Sequence, residues 1–429
     1  VTNSCGDVTQ SQNSTVTVSS HVTVTASGTY QATCPTEPVA FSVTSINSSY
    51  QPIYTWKRNG LTVGANSASY TASNVTLNDA FWVEISVSGN CLTSQSITTP
   101  PVSVLFSSNC PLIWTVSNST LWDNPHNWNL NRVQDSTTLV VIEPALFQPE
   151  ITTHAQAYSL TVNGGGSLVV KNGASLTLQG AVSVAADATM LLENGANLVQ
   201  VDNVSNSGSI RVQKSTRSLL RLDYVIWSSP VLGSQTLKQF SPQTLDNRFY
   251  AHQLPSNTWV EANNQLPFAS AKGYMIRVPN THPTTPTVWT GQFVGTPQNG
   301  TVTVSMPSPR NNNQNRYFLV GNPYPSAIDM KQFLDENASR ITGVYYFYRK
   351  TNGVAGRSGY FIKSKNPNYN PNDPTSPRFL FTNNGEGIDQ NVIPSGQGFF
   401  VEMAQGASQI VFTNAMRVAV ESGVLNRDA

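Results

Sequence analysis

The chain has 429 residues, which at roughly 150 residues per domain sets an expectation of about three domains. Charged residues make up 11%, against roughly 25% in a typical soluble domain, and 24 Lys+Arg against 23 Asp+Glu leave a net charge of +1. That balance excludes the basic excess of a nucleic-acid binder and the polybasic face of a membrane-surface protein. No apolar run is long enough for a membrane-crossing helix, and no signal peptide is read. Val1 is not an initiator, so the chain reads as processed or cut from something longer. Ser, Thr, Asn, Gly and Pro mixed with Val favour strands and turns over helices. With 8 Trp, 15 Tyr and 17 Phe there is ample core material, so the expectation is an all-β, multi-domain, ordered protein.

In chain order, residues 1–26 read as the terminal hairpin of a preceding domain. Val1–Cys5 followed by Val16–Val18 repeats at an offset of 86 as Val87–Cys91 followed by Val102–Val104. Residues 27–108 read as an Ig-like β-sandwich, with alternating strands at Val39–Val43, Tyr54–Trp56 and Trp82–Val87 and a turn at Arg58-Asn59-Gly60. All four cysteines, Cys5, Cys34, Cys91 and Cys110, lie in the first 110 residues without a CxxC pair, which reads as disulfides in an oxidising compartment.

Residues 109–215 read as a β-solenoid. Leu160, Leu168, Leu176 and Val184 recur every eight residues, and Leu191, Leu198, Val204 and Ile210 continue at six or seven. Asn-Gly corners punctuate them, so each turn buries its inward residue against the next. Plain hairpins are the alternative. The lead-in carries Trp114, Trp122 and Trp128; Trp122 and Trp128 are candidate ligand-stacking aromatics, against the alternative that they cap a hydrophobic end.

Residues 216–420 read as a duplicated β-domain. Tyr224–Pro230 matches Tyr317–Pro323 and Lys238–Phe240 matches Lys331–Phe333, both at an offset of 93. Lys272–Ile276 matches Gln397–Val401 at 125, and Val288–Thr290 matches Val411–Thr413 at 123, so the second copy carries about 30 extra residues near Asn366–Pro377. Pseudo-twofold halves sharing one core are expected. The best helix candidate is Pro325–Leu334, with Ser326 as cap and Met330, Phe333 and Leu334 on one face. Residues 421–429 read as a tail.

Residues 27–108 are similar to the Ig-like or PKD-like repeats of secreted Bacteroidetes proteins, on Tyr54, Trp56, Asn59, Gly60 and Cys91. The resemblance implies a Cys34–Cys91 disulfide, leaving Cys5 to pair upstream or with Cys110. Trp122-Asp123 and Asn127-Trp128 resemble the lead-in before solenoid stretches of Bacteroidetes surface proteins. Gly321–Asp329, Ile393–Val401 and Phe412–Arg417 resemble a module recurrent near the C-termini of large Bacteroidetes proteins. That resemblance implies export through the type IX secretion system, an outer-membrane anchor and a place on the outer cell surface or in secretions. The family's C-terminal sorting domain would come after Ala429, so it is expected to have been cleaved or to lie beyond a fragment. Asp135-Ser136-Thr137 resembles a Bacteroidetes O-glycan site, making Ser136 the candidate acceptor.

No HExxH, GxSxG or phosphate-binding Gly-rich loop is present, and no catalytic, cofactor or metal residues are assigned. Asp123, His126 and Trp128 form the one local cluster, with a turn Asp as the plainer reading. Asp373 and Asp389 read as isolated loop residues. Half of the aromatic run Tyr345–Tyr348 faces the core by alternation, and the other half is a candidate binding patch. The expected function is a non-enzymatic surface stalk or adhesin with a glycan or host-surface ligand. The alternatives are a polysaccharide-active enzyme on the solenoid and a self-associating fibre subunit assembled by strand addition.

Overall fold

The structure, a computed structural model, describes residues 34, 38–43, 51–76, 79–89, 92–104, 110–115, 119–312, 314–350, 359–364 and 392–419. It is all-β and falls into two compact units, Val1–Pro111 and Leu112–Ala429. The expected hairpin at 1–26, Cys5, Cys91, the inserted segment around 366–377, Asp373, Asp389 and the tail at 421–429 lie outside the described residues.

In the first unit, Val39–Ser42 pairs with Ser69–Ala72. A second antiparallel sheet runs Leu61–Val63, Gln51–Arg58, Ala80–Gly89, Leu92–Thr98, with Val102–Ser103 also on Ala80–Gly89. Asn59 and Gly60 adopt positive φ (52° and 86°), as a tight hairpin requires. Trp56 is buried with Phe41, Phe81, Val83 and Ile85, and its indole Nε1 donates to Ser67 O at 2.9 Å. The expected Cys34–Cys91 disulfide is corrected. Cys34 is bonded to Cys110, with Cα atoms 5.3 Å apart, inside bridging range. The hairpin-cysteine pattern led to the wrong partner because the bond joins the entry of the sandwich to its exit. Closing 76 residues in this way stabilises the unit by about 4 kcal/mol.

The second unit begins with a solenoid of about three turns whose parallel strands line three faces. The first face stacks Leu112–Trp114, Leu139–Ile142, Ser159–Val162 and Val182–Val184. The second stacks Glu150–Ile151, Ser167–Val170, Thr189–Leu192 and Ile210–Leu219. The third stacks His154–Ala157, Ser175–Leu178 and Asn197–Gln200. The eight-residue spacing is the step from one face to the next. Leu160 lies over Val140 and under Val182, Leu168 pairs Met190, and Leu176 pairs Leu198, all buried. Burying each such side chain contributes about 1.5–3 kcal/mol. Two assignments shift: Met190 and Leu192 point inward where Leu191 was expected, and Val204 is exposed. The last coil is not a simple repeat, so the spacing there steps across faces.

Trp114, Trp122 and Trp128 close the solenoid's first end. Trp128 packs edge-on to the other two at 5.0 Å each, and its Nε1 donates to Trp122 O. The duplicated domain closes the other end. Ile210–Leu219 pairs in parallel with the solenoid through Arg211 and Val212, then runs antiparallel to Thr287–Pro297. The sequence boundary placed at 215/216 therefore falls inside one strand, and one core runs from Leu112 to Phe293.

The duplication is explicit in the topology. Tyr224–Trp227, Tyr274–Arg277, Phe249–Gln253 and Thr258–Glu261 form one sheet in that order. Tyr317–Gly321, Gly398–Met403, Ile341–Arg349 and Gly359–Ser364 form the other in the equivalent order. In each copy the first strand leads to a helix at the same offset, Leu237–Phe240 and Met330–Glu336. The second helix is capped by Asp329, whose Oδ1 accepts from Gln332 N at 2.8 Å, and not by Ser326. Ser326 lies before the short strand Ala327–Asp329, which pairs with Val392–Ile393 and Arg417–Val418 and so delays the helix start. Met330, Phe333 and Leu334 are buried together as expected.

Gly208 turns the chain out of the last coil at φ +78°, and a Cβ there would sit 1.8 Å from Val184 O. Gly173, at φ +81°, has open space around the same position. Gly208→Ala is expected to cost about 2 kcal/mol or more, and Gly173→Ala about 1 kcal/mol, in urea unfolding midpoints. Equal losses would show that the close approach at Gly208 does not matter.

Candidate binding cleft

Alternation within the two four-stranded sheets divides their side chains between two environments. In the first copy Val225, Trp227, Tyr274 and Ile276 face the core shared with the solenoid. In the second, Val320, Tyr345, Phe347, Phe399 and Val401 face a separate core with the helix residue Phe333. The expected single core of the duplicated domain is thus two cores, because each copy packs one face of its sheet under its own helix. The opposite faces meet in a third layer built on Ile226, Leu319 and Phe400, with Trp259, Met275, Tyr317, Tyr346 and Tyr348 around them.

This layer obeys the pseudo-twofold. Trp227 bridges Gln397 and its counterpart Val320 bridges Lys272. Ser228 N donates to Gly396 O and Gly321 N to Ala271 O, both at 2.9 Å. At the axis, a Cβ on Gly398 would lie 2.4 Å from the Ile226 side chain and 3.3 Å from Gly273 Cα. A Cβ on Gly273 would lie 2.8 Å from Leu319. Glycine at both positions is what lets the sheets approach. The aromatic pairs repeat as well: Tyr224 with Tyr250 and Tyr317 with Tyr346, His252 with Trp259 and Tyr348 with Tyr360.

A cleft of about 330 Å³ opens at one side of this layer. The first copy contributes His252, Asn257 and Trp259 from its edge hairpin. The second contributes Tyr317, Tyr346, Tyr360 and Phe400. Phe400 is the floor, edge-on to His252 at 4.8 Å, to Trp259 at 5.9 Å and to Tyr360 at 5.6 Å. Tyr360 is the exposed rim. His252 Nε2 lies 2.9 Å from Asn257 Oδ1, and since a carboxamide oxygen only accepts, Nε2 carries the proton. Burial holds the His252 pKa below its ordinary value, against the opposing pull of that hydrogen bond. Burial likewise raises the Tyr348 and Tyr360 hydroxyls, so these two groups are uncharged at neutral pH, while the neighbouring Arg316, over the Tyr317 ring, is paired with Glu402 at 2.9 Å.

The half of the Tyr345–Tyr348 run that alternation turned away from the core does reach this layer: Tyr346 lines the cleft and Tyr348 packs beside it. The sequence reading missed His252, Asn257, Trp259 and Tyr360. For the first three the signal was available in the hairpin Phe249–Glu261, where pairing sets His252 opposite Trp259; Tyr360 lies on the second copy's edge strand, opposite Tyr348. Trp122 and Trp128 are corrected as ligand-stacking residues. Both are buried and spend their faces on each other and on Trp114, so no ring face is left for a sugar.

The other sequence candidates remain scattered. Asp123 and His126 are both exposed in the turn where Asn124 caps a short 3-10 segment at Pro125. Ser136 is half-buried in a turn organised by Asp135, whose carboxylate accepts from Thr137 and Thr138 and is thereby held down to about 2. On the solenoid surface, Lys171 is bound between Glu193 at 2.8 Å and Glu150 at 3.7 Å, as an ion-pair ladder across coils. Among the described residues no group of three or more His, Cys, Asp or Glu is placed to hold a metal.

The second unit coincides with the family match: a family described as a domain of unknown function (DUF8693) covers residues 113–427. No curated protein matches the chain.

Because the folded pKa of His252 lies below about 6.5, the unfolded chain binds more protons in the interval between the two values. The stability this gives is complete above about pH 6.5 and is lost as pH falls through the folded value. Urea unfolding at pH 7.5 and 5 is expected to show a smaller loss on acidification for His252→Gln than for the parent chain. An equal loss would mean that His252 protonates freely in the fold.

Proposed function

The chain belongs to the DUF8693 family, and we propose that this member is a non-enzymatic extracellular module that acts as a rigid spacer and adhesive surface. The observation that supports it is the strand Ile210–Leu219, which is at once the last solenoid strand of its face and the partner of Thr287–Pro297. A coil continued by shared backbone hydrogen bonds into a paired domain resists bending at the joint, which suits a part that holds a surface at a distance. The aromatic cleft between the copies is the surface such a spacer would present.

The Cys34–Cys110 disulfide supports an oxidising location. The module resemblance of Gly321–Asp329 and Ile393–Val401 supports the type IX route and an outer-surface or secreted position. On this reading the first unit is one Ig-like repeat of the stalk. The polysaccharide-enzyme alternative draws less support, since the solenoid's Lys171 is committed to Glu150 and Glu193 and, among the described residues, no carboxylate lines the cleft. Antibody against the full chain is expected to label intact, unpermeabilised source cells, or their secretions. Incubation with a broad polysaccharide panel is expected to release no reducing ends. Label appearing only after permeabilisation, or turnover of any polysaccharide, would contradict the proposal.

A further inference from the structure

We infer that the cleft between the two copies binds an uncharged saccharide of mono- or disaccharide size, stacked on Trp259 and Tyr360 over the Phe400 floor. The inference names the ligand class of the cleft and rests on the surface-module reading for its access to extracellular glycans.

The chemistry of the lining selects this class. A sugar ring presents a flat array of C–H bonds on its face and hydroxyls around its rim. It therefore fits a site with apolar walls and a few polar groups at one edge. Trp259, Tyr360 and Phe400 supply the walls, and the two stacking rings are not sealed as Trp122 and Trp128 are: Tyr360 is 44% exposed and Trp259 is half-buried. His252 and Asn257 supply the polar edge. With Nε2–H donating to Asn257 Oδ1, the His252 Nδ1 is an acceptor and the Asn257 amide nitrogen a donor, matching the two roles of a hydroxyl. Asn257 holds this position at a hairpin turn with φ +53°.

Charge sets the exclusion. Among the described residues no Lys, Arg, Asp or Glu lines the cleft; Arg316, 5.3 Å over the Tyr317 ring, is committed to Glu402 at 2.9 Å, and burial holds the His252 pKa below its ordinary value, so a charged ligand would lose hydration without gaining an uncommitted partner. The volume, about 330 Å³, is at the small end of ligand sites and matches a short saccharide better than a peptide segment.

The duplication explains how a site could arise on one side. The copies depart from equivalence where it matters: Phe400 stands in the second copy where the first has Met275, and His252 in the first where the second has Tyr348. The larger floor and the smaller, polar wall fall on the same side of the axis.

The test uses the full chain with maltose, cellobiose, xylobiose and N,N′-diacetylchitobiose, read by saturation-transfer NMR and tryptophan fluorescence, with digalacturonic acid as the charged counterpart. At least one neutral disaccharide is expected to bind saturably, and digalacturonic acid about tenfold more weakly or worse. Trp259→Ala is expected to weaken binding about tenfold, and Tyr360→Phe to leave it within about threefold. Should Trp259→Ala fail to fold by circular dichroism, Tyr360→Ala at the exposed rim carries the same expectation. Saturable binding of no neutral disaccharide, binding of the acidic one equally well, or binding unchanged in the folded alanine variants would each overturn the inference. Surface labelling with no saccharide binding would reject the ligand class alone, whereas internal labelling would reject the surface reading whatever the cleft binds.

Discussion

A parallel β-coil ends in unpaired backbone groups, and each of its faces must be closed or it becomes a template for further strands. That constraint organises residues 112–419. The first face ends when Ser207 bridges Ser183 and Asn206 Oδ1 accepts from Val182 N. The second is handed to the duplicated domain along Ile210–Leu219. The third is met by the second copy: Leu198 N donates to Pro325 O, and Asn197 Oδ1 accepts from Ala327 N. Arg417 locks this joint from inside. Its guanidinium donates to Leu198 O and Asn299 Oδ1, both at 2.6 Å, and lies over the Tyr324 ring. These are neutral partners, and burial draws the pKa down to about 9, which leaves Arg417 charged at neutral pH. A buried cation held only by oriented dipoles is costly to disturb, because removing any partner leaves a desolvated charge.

The pairing of the two copies depends on the same joint. The first copy is tied to the solenoid through its second face and the second copy through its third, so the coil holds both copies in place. Their contact then needs close backbone approach, which Gly273 and Gly398 permit, and a layer of rings that fills the remainder. Aromatic pairs prefer edge-to-face geometry, and most contacts in this layer take it. Rings packed this way leave clefts where one is missing or shortened, which is where the candidate site lies.

The parts of this architecture legible in the sequence were those with a period or a copy. Eight-residue spacing pointed to the solenoid because one side chain per face must point inward, and the offset of 93 pointed to the duplication because paired strands and their helix recur together. What was illegible depended on contacts between distant segments. Arg417 closes the recognisable Phe412–Arg417 motif, yet nothing local says that it reaches a solenoid strand 219 residues away. The Gly321–Asp329 motif is recognisable in the sequence, but not that its Asn322 is buried, donating to Ser326 O and Ile393 O. The resemblance to Ig-like repeats implied a hairpin partner for Cys34, and nothing local to Cys34 points to Cys110, 76 residues on. For the Trp residues of the lead-in the sequence offered both ligand stacking and capping of a hydrophobic end, and their burial against one another fits capping. The cleft was half visible, since alternation exposed Tyr346 and Tyr348, but its other wall belongs to a different copy.

The central claim is that the duplicated domain is the solenoid's cap, so that the two form one cooperative structure. Native-state hydrogen exchange tests it most directly, by comparing the amides of Asn197–Gln200 with those of Gly398–Met403 across low urea concentrations. Both sets are expected to open at the same free energy and with the same urea dependence. Opening of Asn197–Gln200 at a distinctly lower free energy, with Gly398–Met403 still protected, would contradict the claim.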